Sequence, residues 1–392
     1  MQAIYSMGIP FDITTYEEPD LLRLENAYGK DLISVMKKAE NINIVSSFSE
    51  KNIKHAVGGE GHCININTHP DLFPYYQDYF SKDNSITYCH FPMAKQHIES
   101  RNVEYLRRDL RIEEKEEKEE KEEKEEKEEK HTMLPLENRS DNENKHKNKS
   151  FALAQHSYEN LMKHSTLITN SEFSRRAILD VLDGEPEEVH VISPPVEVEI
   201  FRNRVLYSSS ADKRRDIILV VSRIHKSKQI ENALKLARLL KQDNIGSGMK
   251  IIGNMTSEYD SNYYISLNQM MADLGLERYV TFETNVSLNG LLSFMREAKI
   301  YFHPMVGEHF GMSVVESMTA GLVPVVPDIG GPTEFVPKKY QFNSLEEAAD
   351  KILSAFQISD SERIQISNSV NGFSLSNYVK EFQKVVRSLF SE

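Results

Sequence analysis

The chain has 392 residues, no tryptophan and two cysteines, Cys63 and Cys89. Two thiols cannot build a disulfide framework or a cysteine-rich metal centre. Both fall in strand-like stretches, where a thiol is expected to be buried and inert. No apolar run approaches the roughly 18 residues that a membrane-spanning helix needs. Residues 1–8, MQAIYSMG, lack the basic start and apolar core of a secretion signal. These absences lead to the expectation of a cytoplasmic protein.

What is present is a soluble balance, 39% hydrophobic and 27% charged residues, with a formal net charge of −13. Much of that charge comes from residues 113–130, six tandem Glu-Glu-Lys units with twelve Glu against six Lys. Outside the repeat the chain is only mildly acidic. Net charge therefore says little about the partner, and nucleic acid is not expected as one. Each Glu four residues before a Lys supports a solvated helix by about 0.2–0.5 kcal/mol per pair. The repeat runs into a tract rich in Asn, Lys and His that ends near residue 150. With no apolar face to bury, residues 113–150 read as an insertion in a surface connection.

Either side of the insertion, strand and helix patterns alternate. Residues 11–16, 42–46 and 85–90 read as strands. After residue 210 the pattern is clearer. Residues 217–221, 250–252, 279–282, 300–303 and 323–326 are apolar or nearly apolar, as strands of a parallel sheet buried on both faces should be. Residues 230–240 between them carry apolar positions at helical spacing. The pattern predicts an α/β chain with two doubly wound, Rossmann-like sheets. The predicted domains are 1–195 and 210–372, joined near Ser193-Pro194-Pro195-Val196. A final helix over 377–390 lies within a C-terminal segment, 373–392.

In open α/β sheets ligands bind beyond the C-terminal strand ends. Ser222-Arg223 and Lys228 follow the first strand of the second half; Gly307-Glu308-His309-Phe310-Gly311-Met312-Ser313 follow the fourth. A helix beginning near Met312 points free N–H groups at an anion, and Gly311 lets the backbone approach it. Arg223 and Lys228 suit a diphosphate. Glu316, one turn into that helix, can accept from a ribose diol, and Glu308 can face a sugar. No Asp-x-Asp pair occurs in the chain. Such a pair commonly holds a divalent ion on a nucleotide diphosphate, so fixed protein charges are expected to replace the metal.

The run Glu308-His309-Phe310-Gly311…Glu316, with Ala320-Gly321-Leu322-Val323-Pro324 and Gly330-Gly331-Pro332, resembles the retaining GT-B glycosyltransferases that include glycogen and sucrose synthases. Ser222-Arg223…Lys228, Thr169-Asn170-Ser171-Glu172-Phe173-Ser174 and Ser193-Pro194-Pro195-Val196 are similar to the family's pattern in the same order. Within it, Tyr88-Cys89-His90-Phe91-Pro92 and Glu308-His309-Phe310-Gly311 look like the mannosyltransferases that build the lipid-linked oligosaccharide.

The resemblance implies transfer of a hexose, mannose for the last group, with retention of configuration. The donor would be a GDP- or UDP-sugar, and the acceptor a glycan or polyprenyl-linked sugar met peripherally at the cytoplasmic face of a membrane. It assigns Glu308 and His90 to the transferred sugar. Glu316 goes to ribose; Arg223, Lys228, Phe310, Gly311, Met312 and Ser313 go to the rest of the donor. No cofactor and no metal are implied. The alternatives are a nucleotide-sugar epimerase or hydrolase on the same scaffold, or an inactive truncated one. The family's opening strand and Gly-rich turn have no counterpart here, because the chain opens in what reads as the first helix, residues 2–7. The expectation is that the protein starts upstream of Met1, or that this version is truncated and impaired.

Overall fold

The computed structural model describes residues 2–15, 18–21, 30–44, 65–67, 85–92, 164–182, 189–208, 214–255 and 257–389. The Glu-Glu-Lys insertion and Cys63 lie outside the described residues. The chain divides into two compact units. One comprises residues 1–170, 174–192 and 381–392, and the other 171–173 and 193–380.

The first unit opens with α1 (Gln2–Ser6), β1 (Ile13–Thr15), α2 (Lys30–Met36) and β2 (Ile42–Ile44). Strands β1 and β2 pair in parallel, Ile13 opposite Ile42. A second parallel sheet follows, in the order β3 (Asn65–Asn67), β4 (Ser85–Tyr88), β5 (Thr166–Thr169) and β6 (Val189–Val191), with α3 (Glu172–Leu182) before its last strand. Strand β4 is buried along its whole length. Cys89, expected in a strand, follows β4 directly and is fully buried. Tyr88 donates from its hydroxyl to the Ile192 carbonyl at 3.0 Å, anchoring the end of β4.

The second unit begins with a short helix, α4 (Val198–Phe201), and is built on β7 (Arg215–Val221), α5 (Glu231–Gln242), β8 (Gly248–Gly253), α6 (Glu258–Asp273), β9 (Val280–Thr284), α7 (Leu288–Glu297), β10 (Ala298–Phe302), α8 (Met312–Thr319), β11 (Val323–Pro327) and β12 (Gln341–Phe342). Helices α9 (Leu345–Ala355), α10 (Asp360–Ser369) and α11 (Leu375–Ser388) close the chain. Apolar runs become strands because helices cover both faces. Ile218, Leu219 and Val220 of β7 are completely buried, as are Ala233, Leu234, Leu236, Ala237 and Leu240 along one stripe of α5. The strand ends shift by a residue or two from the sequence pattern, which does not register the terminal hydrogen bonds. Residue 303, read as strand, lies just past β10.

Six strands form one parallel sheet in the order β12-β11-β10-β7-β8-β9. The chain starts at β7, runs outward through β8 to the β9 edge, then returns to β10 beside β7 and runs outward the other way to β12. This is the doubly wound dinucleotide-fold order, and its switch point lies between β7 and β10. Loops leaving those two strands diverge, so a crevice opens at their C-terminal ends. The chain after β7 carries Arg223 and Lys228, and the chain after β10 carries Glu308.

Candidate donor site at the strand ends

After β7 the backbone turns into a short 3-10 segment, Lys226–Lys228, capped at its start by the His225 ring. Gln229 then adopts a left-handed conformation, φ 51°. Its side-chain amide pairs with the backbone of Val306 in both directions, donating to O at 3.4 Å and accepting from N at 3.2 Å. Asn232 donates to the Pro304 carbonyl at 3.0 Å. Thus two amide side chains stitch the β7 loop to the β10 loop and fix the separation of the groups they carry.

The main consequence is an ion pair. Lys228 Nζ lies 2.7 Å from Glu308 Oε2, and both side chains are largely buried. The other carboxylate oxygen accepts from the His309 N–H at 3.1 Å. Burial alone pushes the Glu308 carboxyl up. The His303 ring and the Lys228 ammonium outweigh it and hold the group well below the usual carboxylate range. Glu308 is therefore a held anion at neutral pH. Two loops clamp its backbone as well: Gly331 donates to the Glu308 carbonyl at 2.7 Å, and Glu308 forms a parallel bridge with Gly330.

Helix α8 starts at Gly311, whose φ of 93° suits glycine. Its first three amides, Gly311, Met312 and Ser313, donate to no described residue. Arg223 is exposed, and its guanidinium meets no described hydrogen-bond or ion-pair partner. Glu316 on α8 likewise receives no hydrogen bond from a described residue. Burial pushes its carboxyl up to about 7. Among the described residues, the site thus combines amides and a guanidinium without partners, a carboxyl that accepts no hydrogen bond, and one neutralised ion pair.

The remaining predicted residues fall as follows. Phe310 is buried against Phe335 and Phe373, with ring centroids 5.4 Å and 5.2 Å away. Its side chain is a packing element, so only its backbone faces the strand ends. Met312 is about half exposed, and the Ser313 hydroxyl lies 2.8 Å from that of Tyr301. His90 is in the first unit, exposed just after β4, with its ring 4.7 Å from that of Tyr88.

Residues with no role in the sequence reading are Tyr301, His303, Gln229 and Asn232. Tyr301 and His303 lie two apart at the end of β10 and so share one face, a period-2 signal that was available. The amide clamps leave no sequence signature.

Residues 204–371 match the family model described as Glycosyl transferases group 1. This stretch is a group 1 glycosyltransferase domain. The group 1 domain holds Arg223, Lys228, Glu308 and Glu316 but neither His90 nor Ser171, which donates from its hydroxyl to the His309 carbonyl at 2.6 Å.

Among curated relatives, the chain is 25% identical over 219 residues to the GDP-Man:Man(3)GlcNAc(2)-PP-Dol alpha-1,2-mannosyltransferase of Dictyostelium discoideum. That alignment covers 52% of this chain and 43% of the relative. It is 27% identical over 217 residues to the human protein of the same name, covering 51% and 44%. The matched region spans less than half the length of either relative.

In fold, the chain is similar to a glycosyltransferase from Rickettsia africae, with TM-score 0.68 and 14% identity over 99% of this chain and 92% of that one. It is also similar to Anabaena HepE in complex with UDP and glucose, with TM-score 0.63 and 13% identity over 96% and 100%. The α/β reading with parallel sheets, and the likeness to GT-B glycosyltransferases, hold.

Proposed function

We propose that this chain is a retaining hexosyltransferase that takes mannose from GDP-mannose and places it on a lipid-linked glycan at the cytoplasmic face of a membrane. The observation that carries the reading is the switch-point cluster. Arg223 follows β7 and the amides that open α8 follow β10, the two strands that flank the switch point, and none of these groups nor Glu316 on α8 meets a described partner. The names of the curated relatives support mannose, GDP and the lipid-linked acceptor. No helix among the described residues is long and apolar enough to cross a membrane.

As the bond to the sugar breaks, negative charge grows on the departing diphosphate. Arg223, Lys228 and the α8 amides would stabilise it without moving. Glu308 would orient both the sugar and Lys228. Because its two oxygens already hold Lys228 and the His309 amide, it is a poor covalent nucleophile.

Incubation with a panel of labelled nucleotide sugars and a lipid extract tests the reading. The expected product is mannosylated lipid from GDP-mannose, formed equally well in EDTA. Free epimer or hydrolysed sugar would point to the alternative chemistry. Arg223→Ala is expected to lower kcat about 10–100-fold with an unchanged melting curve. A wild-type rate in that variant contradicts the role.

Glu316 adds a pH signature. Its carboxyl is protonated below about 7 and ionised above, and only the ionised form accepts from both ribose hydroxyls. Affinity for the nucleoside diphosphate should fall about tenfold from pH 8 to pH 6 beyond the ligand's own titration. Glu316→Gln, titrated in parallel, removes that excess and binds weakly throughout. In the ligand-free protein the sign is opposite: burial favours the acid form. This group's contribution to stability falls as pH rises from the ordinary carboxylate range to about 7. Calorimetry across pH checks the binding; identical pH profiles for the two proteins exclude the assignment.

A further inference from the structure

His303 is a buried histidine, 1% exposed, at the end of β10. Its Nδ1 lies 3.1 Å from the Tyr301 hydroxyl. Its Nε2 lies 3.3 Å from Glu308 Oε2, is shielded from solvent, and reaches hydrogen-bond alignment with no described group. Tyr301 is fully buried, and its hydroxyl also meets Ser313 Oγ at 2.8 Å and the Val221 carbonyl at 3.4 Å. One phenol therefore touches the end of β7, the ring after β10 and the first turn of α8.

Electrostatics selects the tautomer of this ring. If Nδ1 carried the proton, the Nε2 lone pair would face the held anion Glu308, which is repulsive. If Tyr301 donates to Nδ1, Nε2 carries the proton and points it at that carboxylate, an attraction strengthened by the dry surroundings. The Ser313 hydroxyl then donates to Tyr301, and the chain of groups runs in one sense from that hydroxyl to Glu308.

We infer that His303 is a positioning residue of the donor site, held by Tyr301 so that its Nε2–H orients the Glu308 carboxylate and, through it, Lys228. This rests on the donor-site reading above. The ring does not touch the ligand, because its Nε2 is sealed from solvent. It acts by limiting where Glu308 can swing when a sugar displaces water beside it. The role explains why a polar ring occupies a position otherwise suited to an apolar side chain.

Three substitutions separate positioning from packing. His303→Gln sets an amide N–H near the Nε2 position and should keep kcat within about threefold of wild type. His303→Asn reaches Tyr301 but not Glu308. His303→Leu fills the space with no donor. Both should lower kcat about 10–100-fold while diphosphate Kd stays within about twofold, a loss confined to the sugar-transfer step. If the Leu variant does not fold, the Gln and Asn pair alone decides.

A second measurement needs no substrate. Nitrogen chemical shifts of the His303 ring in the ligand-free full chain at pH 8, assigned against His303→Gln, should report the Nε2–H tautomer. Tyr301→Phe should convert it to a mixture. An Nδ1–H ring in the wild type overturns the inference. So does equal loss in the Gln and Leu variants, or a Leu variant with wild-type kcat. If the wild type transfers sugar from no nucleotide sugar, the functional reading fails, and the ring shifts still decide whether His303 orients Glu308.

Discussion

Replacing Glu308 with alanine is expected to reduce turnover about 10²–10³-fold while changing affinity for the free nucleoside diphosphate by less than about threefold. The carboxylate bonds Lys228 at 2.7 Å and the His309 amide at 3.1 Å, so its loss frees the ammonium to move away from the sugar. The diphosphate keeps Arg223 and the α8 amides, which is why binding of the bare nucleotide survives. Stability should fall too, by about 3 kcal/mol, because a partly buried ammonium is left without its counter-charge. Calorimetry with the diphosphate and with the intact sugar nucleotide, beside a melting curve, reads all three effects. Wild-type turnover in this variant rules out a role for the carboxylate at the sugar.

The largest structural effect should come from a single methyl group at Gly331. A Cβ there would lie 2.1 Å from the His309 carbonyl oxygen, 2.7 Å from its carbon and 2.8 Å from Phe310 Cα, all backbone atoms. Such a contact cannot be relieved by a rotamer change, so the β10 and β11 loops must separate. The Gly331 amide that bonds the Glu308 carbonyl at 2.7 Å moves with them. Gly331→Ala is expected to cost about 3 kcal/mol, about 6–12 °C in Tm for a domain of this size. Both the transfer rate and diphosphate affinity should fall, since Gly311 and the α8 amides hang from the same loop. Gly372, with nothing within 4 Å of an added Cβ, is the control: Gly372→Ala should change stability by no more than about 0.5 kcal/mol. Indistinguishable melting curves for the two variants contradict the account.

These two residues illustrate how differently parts of the site can be read. Glu308 was visible as a carboxylate in a glycine-flanked loop after an apolar run. The tightness at Gly331 depends on His309, over twenty residues earlier, and on the pairing of two loops.

By itself, the sequence determined where the strands of the second unit lie, since burial on both faces leaves runs such as 217–221 and 323–326 with no polar break. It also determined which side chains follow those strands: Arg223, Lys228, Glu308 and Glu316 could be named from position alone. Only the tertiary structure decided that β7 and β10 are neighbours. The chain passes through two other strands before returning, and no local pattern records on which edge it returns. That adjacency turned two separately assigned residues, Lys228 and Glu308, into one ion pair, while Arg223 meets no partner among the described residues. The later segments that carry Phe335 and Phe373 made Phe310 a packing ring, and the fold of the β10 loop brought His303 to the carboxylate. Local residue types dictate which chemistry is present, because periodicity and turn preference act over a few residues. Which charges neutralise each other depends on ångström distances between segments about eighty residues apart, and these exist only once the sheet is assembled.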